Sequence, residues 1–330
     1  MNQDNVLRLL IQAGRYISGE EMSRTLGVTR AAVWKGIEAL RQAGYVISSV
    51  PGLGYRLESA PNRLSAGAIS ARLDTEAVVG REIICLEQVD STNSYLKRRA
   101  AEGAPHGLAA AAEEQTGGRG RRGRRFESPR GAGLYLSVLL RPDCTPVKAV
   151  NLTAWVGVAV CDAVEAVSGL RPQIKWTNDI ILNGRKLCGI LTEMSVEGET
   201  GAVQYVVAGM GTNVHERAED FAAAGLSDIA TSLAIEGAEV DRCALASALL
   251  NALDRMTREF PREKARWLEQ YRKDCLTPGH EVKLVGPDGE RPAKALAVDD
   301  DFRLVVAYPD GSTEAVNSGE VSVRGIAGYV

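Results

Sequence analysis

Apolar positions in the first sixty residues recur at helical spacing and then switch to strand-like alternation. Residues 6–12 read as a short apolar helix. Ser18-Gly19-Glu20-Glu21 opens a second, with Ser18 as N-cap and Glu21 at the capping-box position. Gly27 supplies the left-handed turn that stops it. Thr29 caps a third helix, whose Val33, Ile37 and Leu40 fall at i, i+4 and i+7, and Gly44 ends it. Residues 45–50, the turn Pro51-Gly52-Leu53-Gly54, and Tyr55-Arg56-Leu57 then form a two-stranded wing. Burying the apolar stripe leaves Arg30, Ala31, Lys35 and Arg41 on other faces, with Trp34 at an edge and Thr29 at the helix start. A winged helix of this form presents its last helix to a DNA major groove or serves as a protein–protein module.

Residues 59–63, with proline and small polar residues, read as a linker. From about 65 to 275 helical and strand patterns alternate, the signature of a mixed α/β domain. From 278 to 330 short strands without a helix, punctuated by Asp288-Gly289 and Asp310-Gly311, read as a small β-barrel. The expectation is an α+β multidomain chain: a winged helix over 1–60, a mixed α/β domain over 65–275 and a small barrel over 278–330.

Length agrees, since 330 residues exceed one ordinary core. The formal net charge of −3 excludes a whole-protein field that draws nucleic acid. Residues 1–60 hold seven Lys/Arg against five Asp/Glu, 7 − 5 = +2, so DNA binding has to come from a local patch. No basic segment followed by an apolar stretch opens the chain, and no apolar run approaches the ~20 residues of a bilayer span. The six cysteines form no C-x-x-C pair, and none of the three histidines is spaced with them as a metal ligand. Reduced thiols, a cytoplasmic location, no membrane and no structural metal are expected.

Four stretches carry candidate chemistry. Asp90-Ser91-Thr92-Asn93 lies where a helix begins, so its hydroxyls and free N–H groups either bind a polar ligand or merely cap the helix. Residues 114–125 interleave four glycines with five arginines, uniting close backbone approach with forked donors for phosphate or carboxylate. The run is no P-loop, and a nucleic-acid-binding basic loop is the other reading. Asn183-Gly184 between two β-rich runs predicts a hairpin that brings Asn178, Asp179 and Lys186 together, as a functional group or as a structural ion pair. Gly209-Met210-Gly211-Thr212-Asn213-Val214, after a strand over 205–208, is a weaker signal for a wall against a flat ligand.

In this order the stretches resemble the biotin–protein ligases, in the class that carries an N-terminal DNA-binding domain. The resemblance rests on Asp90 to Asn93, on Gly118-Arg119-Gly120-Arg121-Arg122-Gly123-Arg124, and on Lys175-Trp176-x-Asn178-Asp179. Arg185-Lys186-Leu187-x-Gly189-Ile190-Leu191 and Gly209-x-Gly211-x-Asn213-Val214 extend it. Residues 18–20 through 50–55 look like the repressor's winged helix, and residues 319–324 like the close of an SH3-like C-terminal domain. The resemblance implies activation of biotin with ATP and Mg²⁺ to biotinoyl-AMP, then transfer to a lysine of a biotin carboxyl carrier protein. It also implies a homodimer that binds operator DNA and represses biotin genes when biotinoyl-AMP is bound.

Carried over, biotin contacts fall on Ser91, Thr92, Asn93, Gln115, Arg119, Gly120, Arg121 and Lys186. Adenylate contacts fall on Arg124, Phe126, Asn178 and Asn213; Lys186, Arg121 and Asp179 are the catalytic candidates, with Asp179 also the candidate for Mg²⁺. Thr29, Arg30, Ala31, Trp34, Lys35 and Arg41 are the DNA-facing set. The chain departs from the family at Thr177, commonly proline, at Phe126, commonly tryptophan, and over 299–302, where a turn glycine is usual. A ligase whose winged helix no longer reads an operator and a lipoyl-type ligase are the competing readings. The Gly-Arg loop together with the winged helix speaks against the latter.

Overall fold

The computed structural model describes residues 3–286, 289–317 and 322–325. Helices α1 (Gln3–Ala13), α2 (Gly19–Leu26) and α3 (Arg30–Gln42) precede strands β1 (Val46–Val50) and β2 (Gly54–Ser59). The caps fall where the sequence places them. Ser18 accepts from Glu21 N at 3.0 Å, Thr29 accepts from Ala32 N at 3.2 Å, and Gly27 sits at φ 65°. The capping box is only half made, because the Glu21 carboxylate pairs with Arg15 at 3.2 Å. Val33, Ile37 and Leu40 pack with Val6, Leu7, Leu10 and Met22 in one core. Gly54 has no substitute: a Cβ there would lie 2.2 Å from the Ile17 carbonyl, where Ile17 and Tyr55 exchange backbone hydrogen bonds of 2.9 Å.

The short helix α4 (Ala66–Ser70) follows, then β3 (Ile83–Leu86), α5 (Thr92–Ala101), β4 (Ala109–Ala112) and β5 (Gly133–Leu140). Helices α6 (Pro146–Ala149) and α7 (Leu152–Ser168) lead to β6 (Gln173–Lys175), β7 (Asp179–Leu182), β8 (Arg185–Val196) and β9 (Val203–Asn213). Helices α8 (Ala218–Ala223), α9 (Arg242–Glu259) and α10 (Lys264–Asp274) complete the unit. The strands form a seven-stranded sheet in the order β3-β4-β5-β9-β8-β7-β6, antiparallel except for β3 with β4.

Both faces of this sheet are covered, which explains the near-continuous apolar runs of β5 and β9. Leu134, Leu136 and Val138 join the core beneath α7 and α9, while Leu139 and Val207 join Leu96 and Ala100 beneath α5. Trp155 of α7 stacks on Trp267 at 4.8 Å and meets Phe260 edge-on at 5.0 Å. The segment Pro146–Ser168 reaches the length and mean hydropathy of a membrane span, contrary to the expectation from apolar runs, but it is mostly buried inside the fold. All six cysteines are free thiols.

The last strands are β10 (Glu281–Gly286), β11 (Gly289–Val298), β12 (Leu304–Ala307), β13 (Thr313–Val316) and β14 (Ser322–Gly325). They make a five-stranded antiparallel sheet in the order β13-β12-β11-β10-β14. Among the described residues β13 does not pair with β14, so the predicted closed barrel is corrected to an open sheet. The Asp310-Gly311 turn is present, with Gly311 at φ 85°, whereas Asp288 and residues 318–321 lie outside the described residues. Where a turn glycine is usual, Phe302 itself takes the left-handed conformation, φ 60°. Its ring is buried edge-on to Tyr271 at 5.5 Å, and its carbonyl accepts from Trp176 Nε1 at 2.9 Å.

The linker is pinned. Gly67 N donates to Asp4 Oδ1 at 3.2 Å, and a Cβ on Gly67 would lie 2.6 Å from the Asp4 carbonyl. Arg242, 1% exposed, donates to Glu113 at 2.8 Å, to the Asn62 side chain at 2.8 Å and carbonyl at 3.0 Å, and to the Gly133 carbonyl at 3.1 Å. Glu113 also accepts from Leu64 N at 2.6 Å. Removing one partner of a buried pair strands the other charge. Arg242→Ala is therefore expected to destabilise the central domain by about 3–5 kcal/mol in urea unfolding; a loss below about 1 kcal/mol would show that the clamp is not structural.

Candidate active site

The Asp90 to Asn93 segment sits at the start of α5, facing β9. Ser91 is the N-cap, but its contact to Ser94 N is long at 3.5 Å. Thr92 donates its N–H to Gln115 Oε1 at 2.9 Å, and Gln115 Nε2 donates to Ser128 Oγ at 2.9 Å, which fixes the Gln115 amide. Asn93 reaches over β9 only because residue 209 has no side chain: a Cβ there would lie 2.0 Å from Asn93 Oδ1.

The Asn183-Gly184 hairpin forms as predicted, with φ 47° and 78°, and joins β7 to β8. It brings Lys186 Nζ to 2.5 Å from Asp179 Oδ1. Asn178 donates to the Ile190 carbonyl at 3.1 Å and accepts from Arg121 Nη1 at 3.0 Å, tying the Gly-Arg loop to the hairpin. The Trp176–Thr177 peptide bond is cis, at the position the resemblance gives to proline. Burial pulls the Arg121 guanidinium below its ordinary value, opposed by the charge of Asp179. Arg122, at φ 55°, donates to the Val285 carbonyl of β10 at 2.6 Å, so the loop also reaches the C-terminal sheet.

Gly189 and Gly211 face each other across β8 and β9. The Phe126 ring lies over this bare patch, 2.6 Å from where a Gly211 Cβ would stand and 3.6 Å from that of Gly189. The glycines predicted as a wall after a strand are in fact inside β9, which continues to Asn213. Together these elements enclose a cleft of about 1040 Å³, including its open mouth. Ser91, Thr92, Asn93, Gln115, Arg119, Gly120, Arg121, Arg124, Phe126, Asn178, Asp179 and Lys186 all line it.

Asn213 does not line the cleft. It is buried at the end of β9, with its Nδ2 donating to the Thr231 carbonyl at 2.9 Å and to the Lys186 carbonyl of the neighbouring strand at 3.4 Å. Arg125, Trp176 and Val323 also line the cleft, residues that the sequence motifs include without assigning them a contact, while Ser137, Glu193 and Lys97 behind Asn93 were passed over. Ser137 had a signal: it is the one polar residue in the apolar run 134–140 with nothing to hydrogen-bond locally. Among the described lining residues five cations, Arg119, Arg121, Arg124, Arg125 and Lys186, face one carboxylate, Asp179. Such a cleft takes an anionic ligand. No group of three or more His, Cys, Asp or Glu that would hold a metal ion occurs among the described residues.

On α3, Arg30, Ala31, Lys35 and Thr29 are exposed and Trp34 is 54% exposed. Arg41 is turned away: it donates to Glu38 at 2.7 Å and to the Ile47 carbonyl of the wing at 2.7 Å.

Comparison with known proteins agrees with this layout. The model of the Biotin/lipoate A/B protein ligase family matches residues 85–213, an HTH domain matches 2–56, and the Biotin protein ligase C terminal domain matches 278–324. The chain is 38% identical over 314 residues to the bifunctional ligase/repressor BirA of Bacillus subtilis, covering 93% of this chain and 94% of that one. The chain belongs to the biotin protein ligase family. The Escherichia coli bifunctional ligase/repressor BirA is 34% identical over 327 residues, 98% of each chain. Among solved structures, the biotin protein ligase from Aquifex aeolicus in complex with biotin and ATP superposes with TM-score 0.61 at 28% identity. It covers 74% of this ligase and 99% of that chain.

The two glycines of β9 give contrasting expectations for the ligase. Gly209→Ala forces Asn93, itself buried and bonded to the Leu191 carbonyl, out of place, and should weaken binding at the α5 end of the cleft at least about tenfold. Gly211→Ala meets the Phe126 ring, 2.6 Å from where its Cβ would stand, and should leave the Asn93 end of the cleft undisturbed, so the two changes should raise the Michaelis constants of different substrates. Separate Michaelis constants for acid and ATP would check this; equal effects of both changes would refute it.

Proposed function

We propose that this chain activates biotin with ATP, transfers it to a lysine of a biotin carboxyl carrier protein, and represses biotin genes through its winged helix. The observation that carries the reading is the cleft itself: it gathers the polar start of α5, the Gly-Arg loop and the Lys186–Asp179 hairpin around one space with excess positive charge. The Aquifex ligase crystallised with biotin and ATP supports the substrates, and the named BirA relatives support both activities.

In the first step a biotin carboxylate oxygen bonds to the α-phosphorus of ATP and diphosphate leaves. Two anions must meet, and at ~4 Å unit charges repel by roughly 4 kcal/mol at an effective dielectric near 20. Arg121, Arg124 and Lys186 offset that repulsion, and Asp179 holds the Lys186 ammonium in place. In the second step the neutral amine of the carrier lysine attacks the acyl carbon, the acyl C–O bond to AMP breaks, the amine proton is lost to solvent, and the same cations stabilise the phosphate charge of the departing AMP. Mg²⁺ would be held by the Asp179 carboxylate and would supply further neutralisation of the phosphates. Ser91, Thr92, Asn93, Gln115, Arg119 and Gly120 hold biotin, and Phe126 and Asn178 the adenylate. Asn213 acts through the backbone of Lys186, whose carbonyl it holds from the neighbouring strand.

The three units 1–60, 65–275 and 278–330 correspond to DNA binding, catalysis and a closing domain built on the open five-stranded sheet. Thr29, Arg30, Ala31, Trp34 and Lys35 face operator DNA, with Arg41 bracing the wing, and the operator-bound form is a homodimer.

Exchange of labelled diphosphate into ATP should require biotin and should not proceed with lipoate; exchange with lipoate alone would overturn the substrate assignment. Lys186→Ala should lower the exchange rate about 10²–10³-fold, and a wild-type rate would remove its role. For the winged helix, footprints upstream of biotin genes are titrated with salt. Lys35→Ala should reduce the slope of log affinity against log salt by about one. No footprint at any salt would leave a ligase without operator recognition.

A further inference from the structure

Three oxygen–oxygen contacts run through the buried end of the cleft. Thr92 Oγ1 lies 3.1 Å from Gln115 Oε1 and 2.7 Å from Ser137 Oγ, and Ser137 Oγ lies 2.6 Å from Asn93 Oδ1. The hydroxyls of Thr92 and Ser137 carry one proton each, and the amide oxygens carry none. One of the contacts therefore has no hydrogen.

Asn93 decides which. Its Nδ2 donates to the Leu191 carbonyl at 3.1 Å and to the Glu193 carboxylate at 2.9 Å, two groups that only accept. Burial alone would raise the Glu193 carboxyl, but hydrogen bonds from Lys97, at 2.6 Å, and from Asn93 outweigh it and hold the group below its usual value. The ionised Glu193 thus points Asn93 Oδ1 at Ser137. At 2.6 Å Ser137 has to donate to it, and at 2.7 Å Thr92 then has to donate to Ser137. The 3.1 Å contact is the one without a proton. Gln115 cannot supply one, because its Nε2 faces Ser128. Ser137 is 0% exposed, so no solvent interrupts the chain.

Thr92 Oγ1 and Gln115 Oε1 accordingly converge on the cleft as two acceptors, a seat for an N–H. We propose that Ser137, which does not line the cleft, is a specificity-determining positioning residue: by taking the Thr92 proton it keeps this seat acceptor-only, matched to a ureido N–H of biotin. The inference rests on the biotin reading above. An acid whose ring has no N–H leaves both acceptors unpaired, and polar sites reject such analogues strongly.

The test uses the full-length protein, its Ser137→Ala variant, and three acids: biotin and the two cyclic carbamates in which one or the other ureido N–H is replaced by oxygen. In Ser137→Ala the Thr92 proton has only Gln115 Oε1 to turn to, and the seat acquires a donor. The wild-type preference for biotin over one carbamate, as a ratio of kcat/KM in diphosphate exchange, should fall by about tenfold or more in the variant. KM for ATP should stay unchanged. The ratio is taken within each protein, so a partly unfolded variant does not alter it, and Ser137→Thr, which keeps the hydroxyl, should restore it. A ratio unchanged within about twofold overturns the proposal while leaving the biotin reading intact. Absence of biotin-dependent exchange in the wild type would overturn that reading instead.

Discussion

Strand β9 has to be a core strand and the floor of a ligand cleft at once, and much of the molecule follows from that constraint. Its alternate residues Val206, Ala208 and Met210 face the core beneath α7 and α9. The same strand carries glycine at 209 and 211, where any side chain would strike Asn93 or Phe126. A glycine pair weakens a strand, since it brings no side-chain packing and gives up more conformational freedom. Here the loss is met from both sides. Long ladders with β5 and β8 fix the backbone, and Phe126 covers the bare patch of Gly189 and Gly211. The helix start at Asn93 descends into the space left by Gly209, which is why polar groups reach the middle of an otherwise apolar sheet.

Charge sets the second constraint. Among the described lining residues five cations face one carboxylate, so these side chains repel one another. Asn178 and Asp179 hold Arg121 and Lys186 against that repulsion at 3.0 and 2.5 Å. The remaining arginines, Arg119, Arg124 and Arg125, are exposed on a loop bounded by glycines. Fixed cations at the hairpin and hydrated ones on the loop thus divide the work. The first set is oriented before a ligand arrives, which is where electrostatic stabilisation is most effective. The second set keeps its solvation until an anion displaces it.

What the sequence made legible is what depends on neighbours in the chain. Ser18, Gly27 and Thr29 punctuate the helices, and Asn183-Gly184 closes the hairpin, because caps and tight turns are decided by three or four consecutive residues. Gly209 and Gly211 misled for the same reason: locally a glycine ends a strand, and only the partner strands keep this one going. Glu193 and Arg242 were out of reach because their roles lie in contacts across many residues, as Arg242 with Glu113, while Ser137 showed only as a polar break in an apolar run whose partner, Asn93, lies far along the chain. Asn213 carries the right chemistry for a ligand contact but points to the Thr231 carbonyl, a direction that pattern does not encode. The C-terminal turn ran the other way: Phe302 holds a conformation usual for glycine because its buried ring and its carbonyl are both fixed, by Tyr271 and Trp176.

Those last contacts also bear on how three units act as one protein. Trp176 lines the cleft and is held by Phe302 in the β11–β12 turn of the C-terminal domain, while Arg122 of the Gly-Arg loop is held by Val285 of the C-terminal sheet. On the opposite side, Glu113 binds Arg242 and the linker at Leu64, and its carbonyl accepts from Gly131 N at 3.1 Å. Glu113 and Gly131 are therefore the two gateposts of the segment that contains Gln115, the arginines and Phe126. A ligand that orders this segment acts on residues whose ends are bonded to the linker and whose middle is bonded to the C-terminal sheet. Coupling between sites requires a physical element that both of them bias. Among the described residues, this segment is the one that touches the cleft, the linker clamp and the third domain together.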